Sequence, residues 1–249
     1  MNIGQRERRR VVSRLKKLTS RRLLRWPMFT MADVHVDRRS SYWLWVIIAL
    51  VPVPRAWAAA SVAVSTTAAA SAGGHIVFDA RVADLALPSN SLAAGMKPDD
   101  TLSVTLPGRL INPAVEIQPV LKTAVRRNTP EATSASDFSA FKASDPSWIA
   151  NNFTQQEQGP MRDNFSDKMI QEKSKEIFSH YDHKMLIGKA FYKDAVVLLI
   201  NYHEFPERLH AEVYVQEGRQ WKRTNLYASD ETMDVVVAAL KSGKVTPLR

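Results

Sequence analysis

The run Ala195-Val196-Val197-Leu198-Leu199-Ile200 limits what this chain can fold into more than any other stretch. A strand without polar alternation has to be covered on both faces, so layers must lie above and below it. Three further strand-like segments surround it. The four are read as His183–Phe191, Ala195–Tyr202, Leu209–Gln216 and Arg219–Asn225. The breaks between them are Tyr192-Lys193-Asp194, Glu204-Phe205-Pro206-Glu207 and Glu217-Gly218. Such turns are too short for the crossovers that parallel strands need, so the sheet is predicted to be antiparallel with Ala195–Tyr202 central. Leu209, Ala211, Val213 and Val215 alternate with His210, Glu212, Tyr214 and Gln216, which predicts a half-buried strand whose polar face meets solvent.

Helices are predicted ahead of this sheet. Thr129-Pro130-Glu131 combines a capping hydroxyl, a proline at the first helical position and an acid in the first turn. Asp145-Pro146-Ser147-Trp148 repeats that signal, and Gly159-Pro160 reads as a break in a polar stretch. A third helix is predicted over about Phe165–Tyr181, where Ile170, Ser174, Ile177, Phe178 and Tyr181 share one face. After the sheet, Ser229-Asp230-Glu231 starts a helix carrying Met233, Val236, Val237 and Leu240, with Gly243 just past its end. Upstream, Ile76–Val82 and Thr101–Leu106 are strand candidates, the second stopped by Pro107-Gly108, and Val115–Val125 reads as a strand or a short helix.

Two or three helices, the middle one opening in Lys142-Ala143-Ser144-Asp145-Pro146-Ser147-Trp148-Ile149, lead into a sheet whose last strand carries Gly218-Arg219-Gln220-Trp221-Lys222-Arg223-Thr224-Asn225, and this resembles a known pattern. The stretch 129–225 looks like the cone-shaped superfamily of nuclear transport factor two, SnoaL-type cyclases and ketosteroid isomerase. The resemblance implies an α+β domain with helices packed on a curved antiparallel sheet. It also implies either a binding domain without activity or an enzyme with an Asp or His base inside the cone. No residue here matches such a base.

The net charge of +9 is unevenly spread. Residues 1–58 hold 13 Lys/Arg against 3 Asp/Glu, which leaves the remainder at −1. The folded part therefore offers no bulk charge for gripping phosphate, and no nucleic-acid partner is expected. Arg8-Arg9-Arg10, Lys16-Lys17 and Arg21-Arg22 precede an apolar core from Tyr42 to Val53, followed by Arg55-Ala56-Trp57-Ala58. This is the pattern of a secretory signal peptide, with Ala56 and Ala58 as the small residues of the cleavage site. The other reading is an uncleaved anchor, the only membrane contact expected. Residues 1–30 read as an over-extended start. Arg38-Arg39 raises the twin-arginine export route, to which Ser40-Ser41-Tyr42 is a poor match. Residues 59–74 read as a flexible tether, 75–127 as a small β-rich subdomain and 128–249 as the α+β cone-like domain.

Chemistry-bearing candidates are few. With no Cys, disulfides, thiolate metal sites and a Cys nucleophile are excluded. His180 and His183 are three apart but straddle a helix–strand junction, so no metal site is predicted. Trp221 reads as core or hairpin packing. Phosphate loops, nucleophile elbows and dinucleotide fingerprints are missing from the sequence, and no cofactor is expected. The low-ranking catalytic candidates are His203 or His210 as base, with Tyr202 or Tyr214 as donor. The expectation is a periplasmic or secreted, non-catalytic domain that binds an envelope protein or a small apolar ligand. The alternative is a small hydrolase, isomerase or lyase built on a His/Tyr pair.

Overall fold

The computed structural model describes residues 74–87 and 89–248, so the readings of a leader and a tether lie outside the described residues. Among the described residues seven strands form one antiparallel sheet: β1 (His75–Arg81), β2 (Thr101–Ile117), β3 (Lys184–Tyr192), β4 (Ala195–Tyr202), β5 (Phe205–Glu217), β6 (Gln220–Arg223) and β7 (Val245–Leu248). Their order is β6-β5-β4-β3-β2-β1-β7. Four helices lie between β2 and β3: α1 (Pro130–Lys142), α2 (Pro146–Asn151), α3 (Gln155–Ser166) and α4 (Lys168–Phe178). A fifth, α5 (Glu231–Ser242), precedes β7. The architecture is α+β, helices packed on an antiparallel sheet. No described helix is long and apolar enough to cross a membrane.

The apolar run in β4 has its physical reason in the two layers that cover it. Val197 and Leu199 join a core with Ile76, Phe78, Ala190 and the buried face of α5. Val196, Leu198 and Ile200 point the other way, into a core with Ala135 of α1, Leu186 and Tyr214. A third cluster ties α1 to α2, α3 and α4 through Phe138, Phe141, Trp148, Phe153, Phe165 and Phe178. Phe141 stacks on Phe178 at 4.9 Å and meets the edge of Phe165 at 5.1 Å.

The helix starts follow their capping chemistry. Thr129 accepts from the Ala132 N–H, Asp145 from Trp148, and Asp230 from Thr232 and Met233. α5 ends on Gly243 in the left-handed conformation, at φ 68°.

Several boundaries differ from the sequence reading. Pro107-Gly108 does not stop its strand. β2 pairs with β1 over Thr101–Pro107 and with β3 over Gly108–Ile117, so the missing proline N–H falls where the strand changes neighbours. Gly108 is needed there, because a Cβ would stand 2.4 Å from the Lys189 carbonyl oxygen. Gly159-Pro160 does not break α3, which carries Pro160 inside and is anchored by buried Met161 and Phe165. The single helix over Phe165–Tyr181 is instead two, divided at Asp167, whose carboxylate accepts from Met169 and Ile170 and opens α4. The turn between β4 and β5 narrows to His203-Glu204, because Phe205 already pairs with Tyr202. Val115–Ile117 closes β2, and a short 3-10 turn follows at Lys122–Ala124.

Candidate functional site

The polar face of β5 is where the structure departs most from the sequence. Glu212 and Tyr214 were predicted to face solvent; α1 covers them, and they are 7% and 0% exposed. The physical reason is that β5 has helices on both sides. Alternation identifies two faces, but it does not say whether the second is open. His210, on the same face, is half-buried.

Around Glu212 lies a cluster of buried charge. Lys184, at the start of β3 and 1% exposed, donates to both Glu212 oxygens at 2.8 Å. The Ser134 hydroxyl donates to Glu212 at 2.7 Å and the Tyr214 hydroxyl at 2.8 Å. Arg223, at the end of β6, lies 3.7 Å from Glu212 and is ion-paired with Asp137 of α1. α1 brings Ser134, Asp137, Phe138 and Phe141 to one side at helical spacing. β6 holds Arg223 in place, because its N–H donates to the Asn152 carbonyl at 2.8 Å and its carbonyl accepts from Thr154 at 3.0 Å. Charges this deep persist only as pairs, since one carboxylate or ammonium alone would be driven to its neutral form.

The electrostatics follow from burial and neighbours. Burial alone would raise the Glu212 carboxyl, but Lys184 and Arg223 override it and hold it down at about 2. For Asp137 burial prevails over the attraction of Arg223, and its pKa is raised. The Tyr202 and Tyr214 hydroxyls are pushed well above their ordinary value, first by burial and then by the Glu212 charge. Burial lowers the His210 imidazole to about 4, and the nearby charges of Lys184, Arg208 and Arg223 push the same way against Glu212. His210 is therefore neutral at pH 7.

Two cavities adjoin this cluster. The smaller, about 20 Å³, lies between the sheet and the helices and is lined by Asp137, Phe138, Phe141, Ser174, Lys184 and Tyr202, among others. Asp137 Oδ1 and Ser174 Oγ are buried and have no hydrogen-bond partner among the described residues. A volume of about 15 Å³ on this measure suffices for one water.

The larger cavity is a cleft of about 220 Å³ at the open half of β5. β6 pairs with Tyr214–Glu217, and just past it the Val213 carbonyl accepts from the Thr224 N–H at 2.9 Å. The segment after β6 and the face of α5 close the other sides. Ile200, Ala211, Val213, Tyr227, Met233 and Val237 supply apolar wall. Tyr202, His210, Glu212, Arg223, Asn225, Asp234 and Lys241 supply polar groups.

Of the four sequence candidates, Tyr202 and His210 come together, with ring centroids 6.0 Å apart, and both line the cleft. Tyr214 has its hydroxyl engaged on Glu212 and does not line it. His203 is exposed in the β4–β5 turn, its ring 5.9 Å from that of His183. His183 in turn pairs with Glu116 at 2.8 Å. Among the described residues no three His, Cys, Asp or Glu side chains could hold a metal ion. Trp221 is half-buried and packs against the Leu198–Tyr214 cluster.

Sequence reasoning missed Ser134, Asp137, Lys184 and Arg223. One signal was present: Lys184 is in phase with Leu186, an inward position, and so carries a charge on a face that should be apolar. Asp137 sits beside Phe138 and one turn before Phe141, within the apolar stripe of α1.

No family model, curated protein or solved structure matches this chain.

Proposed function

We propose that this chain is a non-catalytic binding domain that takes a small, mostly apolar ligand in the cleft at the open edge of β5. The observation that carries this reading is the make-up of the cleft. Its wall is largely aliphatic and aromatic, and the Tyr202 hydroxyl and both His210 ring nitrogens at one end have no hydrogen-bond partner among the described residues. Pockets for small molecules combine an apolar wall with a few convergent polar groups in this way. The leader pattern ending at Ala56 and Ala58 supports export to the periplasm or beyond. The order of helices α1–α4 followed by hairpin-linked β3–β6 supports kinship with the cone-shaped superfamily and a curved sheet.

Native mass spectrometry of the full chain, expressed with its leader and recovered under native conditions, tests this reading. The expected result is protein carrying a small organic molecule that is released on denaturation. Protein that emerges empty and binds no small hydrophobic probe overturns it.

A second reading rests on one observation, the Tyr202–His210 pair in the cleft. As a base for a hydrolase, isomerase or lyase, His210 would be weak, because general bases work best with a pKa near the working pH and this one lies at about 4. Turnover of ester or enolisable probes that vanishes in His210→Gln would favour this second reading.

A further inference from the structure

The polar lining of the cleft is not balanced between donors and acceptors. Each acid in it already has partners. Glu212 accepts from Lys184, Ser134 and Tyr214. Asp234 accepts from the Ala86 N–H at 2.8 Å, the Leu87 N–H at 3.1 Å and the Asn90 amide at 3.2 Å. The bases differ. Among the described residues Arg223 uses one of its five N–H groups, on Asp137. Lys241, on the last turn of α5, has no ion pair among the described residues. Tyr202 and His210, whose polar side-chain atoms have no hydrogen-bond partner among the described residues, line the same cleft as Arg223.

We infer that the ligand is an organic acid, its carboxylate seated against Arg223, Tyr202 and His210 and its hydrocarbon body lying along Ile200, Val213, Met233 and Val237. The inference rests on the cleft being a ligand site, as proposed above. A guanidinium with free donors is suited to a carboxylate, because two parallel N–H groups meet its two oxygens. Glu212 does not repel such a ligand strongly, since Lys184 lies on both of its oxygens. An amine would instead meet the like charges of Arg223 and Lys241, and both Asp234 oxygens already accept from the Ala86, Leu87 and Asn90 N–H groups. Size follows from volume. A cavity of about 150 Å³ accepts benzene, so one of this size suits a body of about six to nine carbons.

Octanoate, octan-1-ol and octylamine, titrated into the full chain by calorimetry, separate this inference from the reading beneath it. Octanoate is expected to bind more tightly than octanol by about tenfold or more, the usual effect of charged hydrogen bonds, and octylamine not to bind. Octanol binding as tightly as octanoate, or octylamine binding best, keeps the cleft as a ligand site and overturns the acid. If none binds, both fall. Tyr202→Phe places the carboxylate. That hydroxyl has no partner among the described residues, so its loss should leave the fold intact, which circular dichroism checks. The variant should bind octanoate about tenfold more weakly. An unchanged octanoate affinity in a folded Tyr202→Phe protein overturns the proposed seat.

Discussion

Lys184 and Glu212 form a pair that neither residue could sustain alone. Both are at least nine-tenths buried, and Lys184 supplies two of the four hydrogen bonds that Glu212 receives. Replacing Lys184 with Met leaves a buried carboxylate facing Arg223 at 3.7 Å, a group already paired with Asp137. The expected loss is about 3–5 kcal/mol, read as a shift in the urea midpoint. Adding Glu212→Leu removes the stranded charge and should recover much of that loss, because the Arg223–Asp137 pair is neutral by itself. A double variant as unstable as Lys184→Met would mean that the network is held together by geometry rather than by charge balance.

Among the strands, β4 is buried along nearly its whole length. Leu198 is fully buried in the core under α1, and truncating it to Ala should cost about 2–4 kcal/mol. Val213 is only partly buried and borders the cleft, so Val213→Ala should cost less, about 1 kcal/mol, in the same denaturation series. Comparable losses at the two sites would mean that the open edge of β5 is better covered than the structure shows. The same elements explain what was legible in the sequence. An uninterrupted apolar run, short turns and Thr/Asp caps are local signals, and β4, its two hairpin neighbours and the starts of α1, α2 and α5 are legible from them, though the β4–β5 turn is shorter than its residues suggest. The polar face of β5 was misread because its cover, α1, lies more than seventy residues earlier. Asp137 and Arg223 are separated by 86 positions, so nothing in either neighbourhood announces the other. Local polarity suggested solvent at Glu212 where tertiary structure supplies a counter-charge.

At the scale of the whole molecule, the buried groups determine how stability responds to acid. His210 is lowered from 6.5 to about 4, first by burial, so between those values the unfolded chain binds more protons than the native one. Stability is then greatest above about pH 6.5 and falls as the pH drops towards 4. By linkage the loss at pH 4.5 is about 2–3 kcal/mol. Other groups act elsewhere or in the opposite sense. Glu212, held at about 2, withdraws its contribution only below its unfolded value of 4.5. Asp137, whose pKa is raised, becomes easier to accommodate as it protonates, and so offsets part of the loss. His183, raised by its exposed pairing with Glu116, contributes below pH 6.5 and loses that contribution as the pH rises. A difference measurement isolates His210 from the rest. Urea midpoints of the parent and of His210→Gln at pH 7 and pH 4.5 should show the parent losing about 2–3 kcal/mol more than the variant over that interval. Parallel losses in the two proteins would mean that water reaches the imidazole through the cleft and keeps its pKa near the ordinary value.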